Sequence, residues 1–237
     1  MGGDQAMFDQ ESISEAPVLS PSTRGVFLAK VYVFFVYSLL MGALGTKYGM
    51  LAGATNDYYL LQGCVFLALY IGLAFVEKAP ALGLAVLTAF SAYGGYMFAP
   101  AALQIEAMGQ VHLLVLSFIY TVILFGCLSV YALTTKRDLS LLGSFAFAGL
   151  LLLFGAALAA IFLPLEMGWT AFHIFGLVFV STYVLYDTSR FANRFGPDRY
   201  LGAVAALYLD IFNLFVHVLG LLKRDGTYYD TTGRWGR

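Results

Sequence analysis

The chain has 237 residues, of which 60% are hydrophobic and only 11% are charged, and its mean hydropathy is +0.80. Soluble domains carry about 25% charged residues, so these few charges could not cover the surface of a soluble domain, and the composition indicates a membrane protein. The formal net charge of −1 leaves no basic excess to neutralise a phosphate backbone, which excludes nucleic-acid binding as a function.

Residues 1–24 form a polar tail with four acidic side chains and no helical or strand periodicity. Such a composition predicts disorder. A secretory signal begins with a basic segment, whereas this start is acidic and the first apolar run is long enough to span a bilayer. We therefore expect the tail to be retained.

Seven apolar runs of 19 to 25 residues follow the tail. At about 1.5 Å per residue they measure roughly 28 to 38 Å, enough to cross a hydrocarbon core of about 30 Å. The sequence therefore predicts an all-α, polytopic membrane protein with seven transmembrane helices over residues 25–222 and a polar C-terminal tail over 223–237. The runs are Val26–Leu44, Tyr58–Val76, Ala81–Ala99, Val111–Leu133, Leu139–Leu163, Trp169–Asp187 and Tyr200–Leu222.

Basic residues are unevenly distributed between the two sides of this arrangement. Lys47 is alone in the loops of one side, and the side of the N-terminus carries Arg24, Lys30, Lys78, Lys136, Arg137, Arg190, Arg194 and Arg199. The positive-inside rule then places the N-terminus in the cytoplasm. Seven spans would put the basic C-terminal tail outside, so either the loop bias overrides the tail, which we prefer, or the last helix is re-entrant.

The two cysteines, Cys64 and Cys127, both lie within apolar runs. We interpret them as small buried hydrophobic residues rather than as disulfide or metal partners.

Three charged residues fall inside the apolar runs: Lys30, Asp187 and Asp210. Lys30 is near the start of its run, so its long side chain can reach the headgroup layer. Asp210 lies about 15 Å beyond Tyr200 in a helix, and a short carboxylate cannot reach back to water. The Asp210 carboxyl must be protonated, paired or solvated by an internal cavity.

Asp210, Asn213 and His217 follow one another at i, i+3 and i+7, which places them on one face of the last helix. Exposing a charged aspartate to lipid would cost about 2.5 to 3.5 kcal/mol. This polar face is therefore predicted to point into the bundle or to line a water-filled path. For Asn213 and His217, hydrogen bonding to neighbouring helices is the simpler explanation, whereas for Asp210 we favour a functional role.

Asp187 ends the sixth run, and Arg190 at i+3 could pair with it as at an ordinary helix end. A short link containing Gly196 and Pro197 joins the last two helices, which predicts an antiparallel pair with both aspartates in its cytoplasmic half. Counting from that link, the aspartates differ in level by roughly 4 Å.

Two carboxyl groups in a low-dielectric site cannot both ionise cheaply, so such a pair would share one proton. We hypothesise that the protonated pair clamps the two helices and that loss of the proton opens a path for a cation. Oxygen ligands suit hard cations, so calcium is a plausible permeant ion, bound transiently by Asp187 and Asp210. No other cofactor is expected.

Enzyme signatures are weak. His112, His173 and His217 lie on three different helices without HExxH spacing, and each is expected to be a hydrogen-bonded part of the packing. An intramembrane aspartyl protease also needs two aspartates on adjacent helices, but the glycine-rich contexts of such enzymes are absent. We expect a protein that is not an enzyme.

Three stretches together resemble the Bax-inhibitor, or transmembrane-BAX-inhibitor-motif, family, and in particular its bacterial members. They are TKRDLSLLGSF at 135–145, YVLYDTSRF at 183–191 and AALYLDIFNLFVHVLGLL at 205–222, and FLAKVYVFFVYSLL at 27–40 is similar to the first helix of the family. The resemblance implies six helices around a central last helix and a pH-sensitive calcium leak in which Asp187 and Asp210 form the sensor.

The resemblance also has departures and an alternative. Bacterial relatives can carry an arginine at the cytoplasmic end of the second helix, where this chain reads FVEKAP, so Lys78 or Arg190 would supply the counter-charge. His217 occupies a position that is usually apolar in the family. Some members restrain a membrane-bound AAA protease, so the alternative to a calcium leak in the bacterial inner membrane is a regulator that binds such a protease through its acidic tail.

Overall fold

The computed structural model describes residues 21–55, 57–76, 79–162, 169–194 and 199–225. Within these ranges every regular element is an α-helix, which confirms the predicted fold class. The helices are α1 (Pro21–Leu51), α2 (Tyr59–Val76), α3 (Pro80–Ala107), α4 (Val111–Thr134), α5 (Ser140–Phe162), α6 (Trp169–Arg194) and α7 (Tyr200–Asp225).

Five of these helices are long and apolar enough to cross a membrane: α1, α3, α4, α6 and α7. In α2 and α5 the apolar segments of this kind are shorter, over Leu60–Val76 and Ser140–Ala156. The protein is therefore a multi-pass membrane protein. The last helix runs without a break for 26 residues, which is the form that a full span requires.

Several helices extend beyond the apolar runs that predicted them. The first helix begins at Pro21, before the predicted boundary at residue 25, and continues past Lys47 to Leu51. The third predicted run ends at Ala99, but the helix does not end there, because α3 continues through Pro100 to Ala107. Proline removes one backbone hydrogen bond, and neighbouring helices in a membrane bundle make this tolerable.

The last helix is the centre of the bundle. It packs against α1, α2, α3, α4 and α6, and 56% of its membrane-length window is buried, against 22 to 33% in the other four long helices. Leu201, Val204, Leu207 and Leu214 in this helix are almost fully buried. The central position of the last helix is therefore confirmed.

Small residues allow a close backbone contact between α1 and α3. A Cβ atom on Gly95 would collide with the carbonyl oxygen of Gly42, and one on Gly45 would collide with that of Ala92. Because neither glycine carries a side chain, the helices approach closely enough for Thr46 Oγ1 to donate to the Gly95 carbonyl oxygen over 2.9 Å.

Large apolar side chains cover much of the exterior, as expected for a surface that faces lipid; Phe75 is 84% exposed and Leu141 83%. Both cysteines lie on this exterior. The prediction that Cys64 and Cys127 are buried is therefore wrong, because an apolar residue in a membrane helix can face lipid as well as the core.

Candidate functional site

Two buried carboxyl groups lie at the interface of α6 and α7. Asp187 and Asp210 are each only 6% exposed, and the two helices pack against each other as an antiparallel hairpin joined by residues 195–199. The carboxyl groups lie within electrostatic range of each other. The structure thus brings together the two residues that the sequence singles out.

Both carboxyl groups are incompletely satisfied. Among the described residues, neither Asp187 Oδ1 nor Asp210 Oδ2 has a hydrogen-bond partner. Arg190 Nη1 lies 3.7 Å from Asp187 Oδ1, one helical turn away. This distance is long for a charge-assisted hydrogen bond, in which nitrogen and oxygen are usually about 2.7 to 2.9 Å apart. The arginine therefore acts on Asp187 mainly as a nearby charge.

An open cleft of about 790 Å³ reaches Asp187 from the surface of the bundle. Its lining combines α2, α5, α6 and α7, with Tyr70, Tyr183 and Arg190 beside the aspartate. Tyr70 and Tyr183 are within electrostatic range of both carboxyl groups. Asp187 lines the cleft and Asp210 does not, so the pair has one member facing the opening and one behind it.

A second, smaller pocket of about 180 Å³ adjoins the cleft and shares Ser140, Tyr186 and Arg190 with it. Lys136 and Arg137 line this pocket, and Arg199 lines the cleft. The mouth of the site is therefore rich in arginine and lysine.

The other predicted site residues differ in burial and in their contacts. Lys78, a predicted counter-charge, lies outside the described residues. Asn213 is half-buried on α7. His217 is 7% exposed, and its Nδ1 lies 3.2 Å from Nδ1 of His173 on α6. His217 is thus hydrogen-bonded to a neighbouring helix, as the simpler sequence interpretation proposes.

Sequence reasoning missed that the partner of His217 is His173. The two histidines are far apart in the sequence, and their spacing matches no ligand motif. Counting levels from the link between the last two helices, which pairs the aspartates, also places both histidines toward the opposite end of the same two runs. That counting was the available signal.

Within the described ranges, no group of three or more His, Cys, Asp or Glu side chains could hold a metal ion. Calcium takes about 6 to 8 oxygen ligands, so two carboxyl groups would need water to complete its coordination.

The fold and this site define a class: a multi-pass, all-helical membrane protein whose central hairpin buries a pair of carboxyl groups. The chain belongs to the Bax inhibitor family, since the family model described as "Inhibitor of apoptosis-promoting Bax1" matches residues 24–226. This confirms the resemblance seen in the sequence.

Three relatives illustrate the range of the family. An uncharacterised protein of Helicobacter pylori is 28% identical over 222 residues, covering 92% of this chain and 96% of the relative. The Golgi anti-apoptotic protein of vaccinia virus is 31% identical over 210 residues, 84% of this chain and 86% of the relative. The modulator of FtsH protease YccA of Escherichia coli is 30% identical over 134 residues, 56% of this chain and 61% of the relative.

Proposed function

We propose that the protein is a pH-sensitive calcium leak of the bacterial inner membrane, with its N-terminus in the cytoplasm and with Asp187 and Asp210 as sensor and gate. The observation that carries the proposal is the pair itself. Two buried carboxyl groups on adjoining helices lie within electrostatic range, each with an oxygen that lacks a hydrogen-bond partner among the described residues.

The electrostatics of the pair give the direction of the pH response. Two carboxylates in a poorly solvated site repel each other, whereas one shared proton removes a charge and supplies a hydrogen bond between them. Acid therefore favours the closed, proton-sharing pair. Raising the pH removes the proton, and the repulsion between the carboxylates loosens the packing around the cleft.

The cleft offers a route from the surface to the pair. It is open to the outside of the bundle, and phenol oxygens from Tyr70 and Tyr183 stand near the carboxyl groups. A cation that loses part of its water here meets oxygen ligands, which hard cations prefer. Arg190, or Lys78 just after the second run, would act as the counter-charge of the aspartates. An entering cation would have to replace this positive charge.

Calcium flux into liposomes between about pH 5 and pH 8 tests the proposal. The parent should pass little calcium in acid and more at alkaline pH. Asp187→Asn and Asp210→Asn should each flatten this profile, because an amide can neither share nor lose the proton. Glu106→Gln is the matched control, since Glu106 is an exposed carboxylate at the end of α3 and should leave the profile unchanged.

Two results would count against this function. An unchanged profile in either aspartate variant removes that residue from the sensor. A parent protein that passes no calcium at any pH, while correctly folded, rules out the leak.

The similarity to YccA supports a second candidate, a regulator that binds and restrains a membrane-bound AAA protease. That relative is named as a modulator of the FtsH protease and shares 30% identity over 134 residues. In this case the aspartates would only join helices, and the acidic tail would be the recognition element. Deletion of residues 1–24 should then abolish restraint of the protease and leave any calcium flux intact, whereas a tail-independent restraint contradicts this candidate.

A further inference from the structure

A pair of histidines joins the same two helices as the aspartates, at the opposite end of their interface. His173 lies near the start of α6 and His217 in the last third of α7, whereas residues 195–199 link the other ends of these helices along the chain. The α6–α7 hairpin thus has a covalent connection at one end and the imidazole pair near its open end.

The two imidazole rings face each other through their Nδ1 atoms. Their Nδ1 atoms are 3.2 Å apart, and their centroids are 5.4 Å apart with 69° between the ring planes. The centroid separation is close to the N···N distance plus two ring radii, so each Nδ1 points almost straight at the other. Such a contact requires one hydrogen between the nitrogens, with one imidazole donating and the other accepting.

The two helices accommodate the pair reciprocally. A Cβ atom on Gly176 of α6 would collide with the His217 ring, and one on Gly220 of α7 would collide with the His173 ring. Each imidazole therefore lies over a glycine of the opposite helix. Phe172 flanks both rings, with centroids 5.5 Å from His173 and 5.7 Å from His217. Packing as well as hydrogen bonding holds the rings in place.

Few other ionisable groups bear on the pair. Among the described residues, His173 is the titratable group that acts electrostatically on His217. Among the described side chains, the charged groups and histidines at this end of the surrounding helices are Lys47 on α1, Asp57 before α2, Glu106 on α3, His112 on α4 and Lys223 on α7, and all but Lys223 are exposed. The tyrosines at this end include Tyr48 on α1 and Tyr96 on α3. A neutral N–H···N pair persists at alkaline pH, where the aspartates would have lost their shared proton.

We propose that His173 and His217 are positioning residues that close the open end of the α6–α7 hairpin and so hold Asp187 and Asp210 at the separation needed to share a proton. The effect on proton sharing rests on the proposed function, whereas the closure of the hairpin by the two histidines does not. With the covalent link at one end and the imidazoles near the other, the two helices move as a unit, and the repulsion between ionised aspartates cannot separate the helices at the open end.

Distance measurements test the geometry without relying on flux. In a background of Cys64→Ser and Cys127→Ser, nitroxide labels at Ala171→Cys on α6 and Lys223→Cys on α7 report the open end of the hairpin. In the labelled protein with both histidines, the distance should be the same at about pH 5 and pH 8. Adding His217→Phe keeps a ring over Gly176 but removes the nitrogen, so the distance distribution should widen at alkaline pH.

The pH midpoint of calcium flux provides a second test, because loss of packing alone would not shift it. Loosening the hairpin separates the carboxyl groups and weakens their sharing of a proton, so the pH midpoint of calcium flux should move toward acid by about 0.5 to 1 unit in His217→Phe. His173→Phe should have the same effect, and the double variant should shift the midpoint no further, because the same hydrogen bond is lost. His112→Phe, which changes the exposed histidine of α4, is the matched control.

The outcomes separate the two proposals. A pH-dependent distance in the labelled protein with both histidines, or single variants that leave both the distance and the midpoint unchanged, overturns the positioning role. If His217→Phe does not fold, His173→Phe provides the same comparison. Absence of calcium flux in the parent, together with the expected distances, removes the proposed function and leaves the closure of the hairpin established.

Discussion

The ammonium group of Lys30 lies 3.5 Å from the centroid of the Tyr200 ring. The contact joins the first helix to the start of the central one, at the end where α6 and α7 are linked along the chain. The sequence predicts that Lys30 reaches toward the headgroup layer, and its side chain is exposed. The structure adds that the cation covers an aromatic face, an attraction worth about 0.5 to 1 kcal/mol at exposed sites.

Lys30→Gln should therefore lower the stability of the detergent-solubilised protein by about 0.5 to 1 kcal/mol. The glutamine keeps a polar side chain but removes the positive charge over the ring. Thermal unfolding of the variant measures the loss. Lys47→Gln, at an exposed lysine of the same helix, should leave the midpoint unchanged, and equal losses in both variants would show that the ring contact contributes nothing specific.

The α1–α3 contact predicts a much larger effect. In Gly95→Ala the new methyl group would meet the Gly42 carbonyl oxygen, so the two backbones must separate and the hydrogen bond from Thr46 to residue 95 must lengthen. We expect loss of the folded-protein peak or a fall in stability of about 3 kcal/mol or more, measured by size-exclusion chromatography and thermal unfolding.

A glycine elsewhere in the bundle supplies the comparison for Gly95→Ala. Nothing lies within 4 Å of a Cβ atom built on Gly72 of α2. Gly72→Ala should be neutral or stabilising by up to about 1 kcal/mol, because alanine is the better helix former. Similar behaviour of the two variants would contradict the close approach of α1 and α3.

Arg190 sets the third prediction, since its Nη1 lies 3.7 Å from Asp187 Oδ1. A positive charge at this distance favours the ionised carboxylate and so opposes proton sharing. In Arg190→Gln the pair should hold its proton to higher pH, and the midpoint of the flux profile should move toward alkaline pH, opposite to the shift expected for His217→Phe.

Calcium flux measured in liposomes across the same pH range checks this sign. Lys47→Gln, which removes a charge from the opposite end of the bundle, should leave the midpoint in place. A shift of the Arg190→Gln midpoint toward acid would mean that the arginine stabilises the closed pair, with the guanidinium acting as a clamp rather than as a competitor of the proton.

Two features of the helices differ from the predictions, each for its own physical reason. Hydropathy reports whether a residue leaves water, and in a membrane bundle both the core and the lipid-facing exterior satisfy that condition. The apolar runs therefore predict that Cys64 and Cys127 lie in the core, although both are exposed. The end of α3 has a different cause: the third apolar run ends just before Pro100, yet the helix continues through it to Ala107, because packing against neighbouring helices outweighs one lost hydrogen bond.

The sequence by itself determined the membrane class, the all-helical fold and the choice of Asp187 and Asp210, because a run of apolar residues and a charge within it are local properties of the chain. Only the tertiary structure decided which side chains meet: His173 with His217, Lys30 with Tyr200, and Gly42 with Gly95. Such contacts depend on how each helix is rotated and shifted against its neighbours. That rotation is set by the packing of all the helices together, and no single run of sequence encodes it.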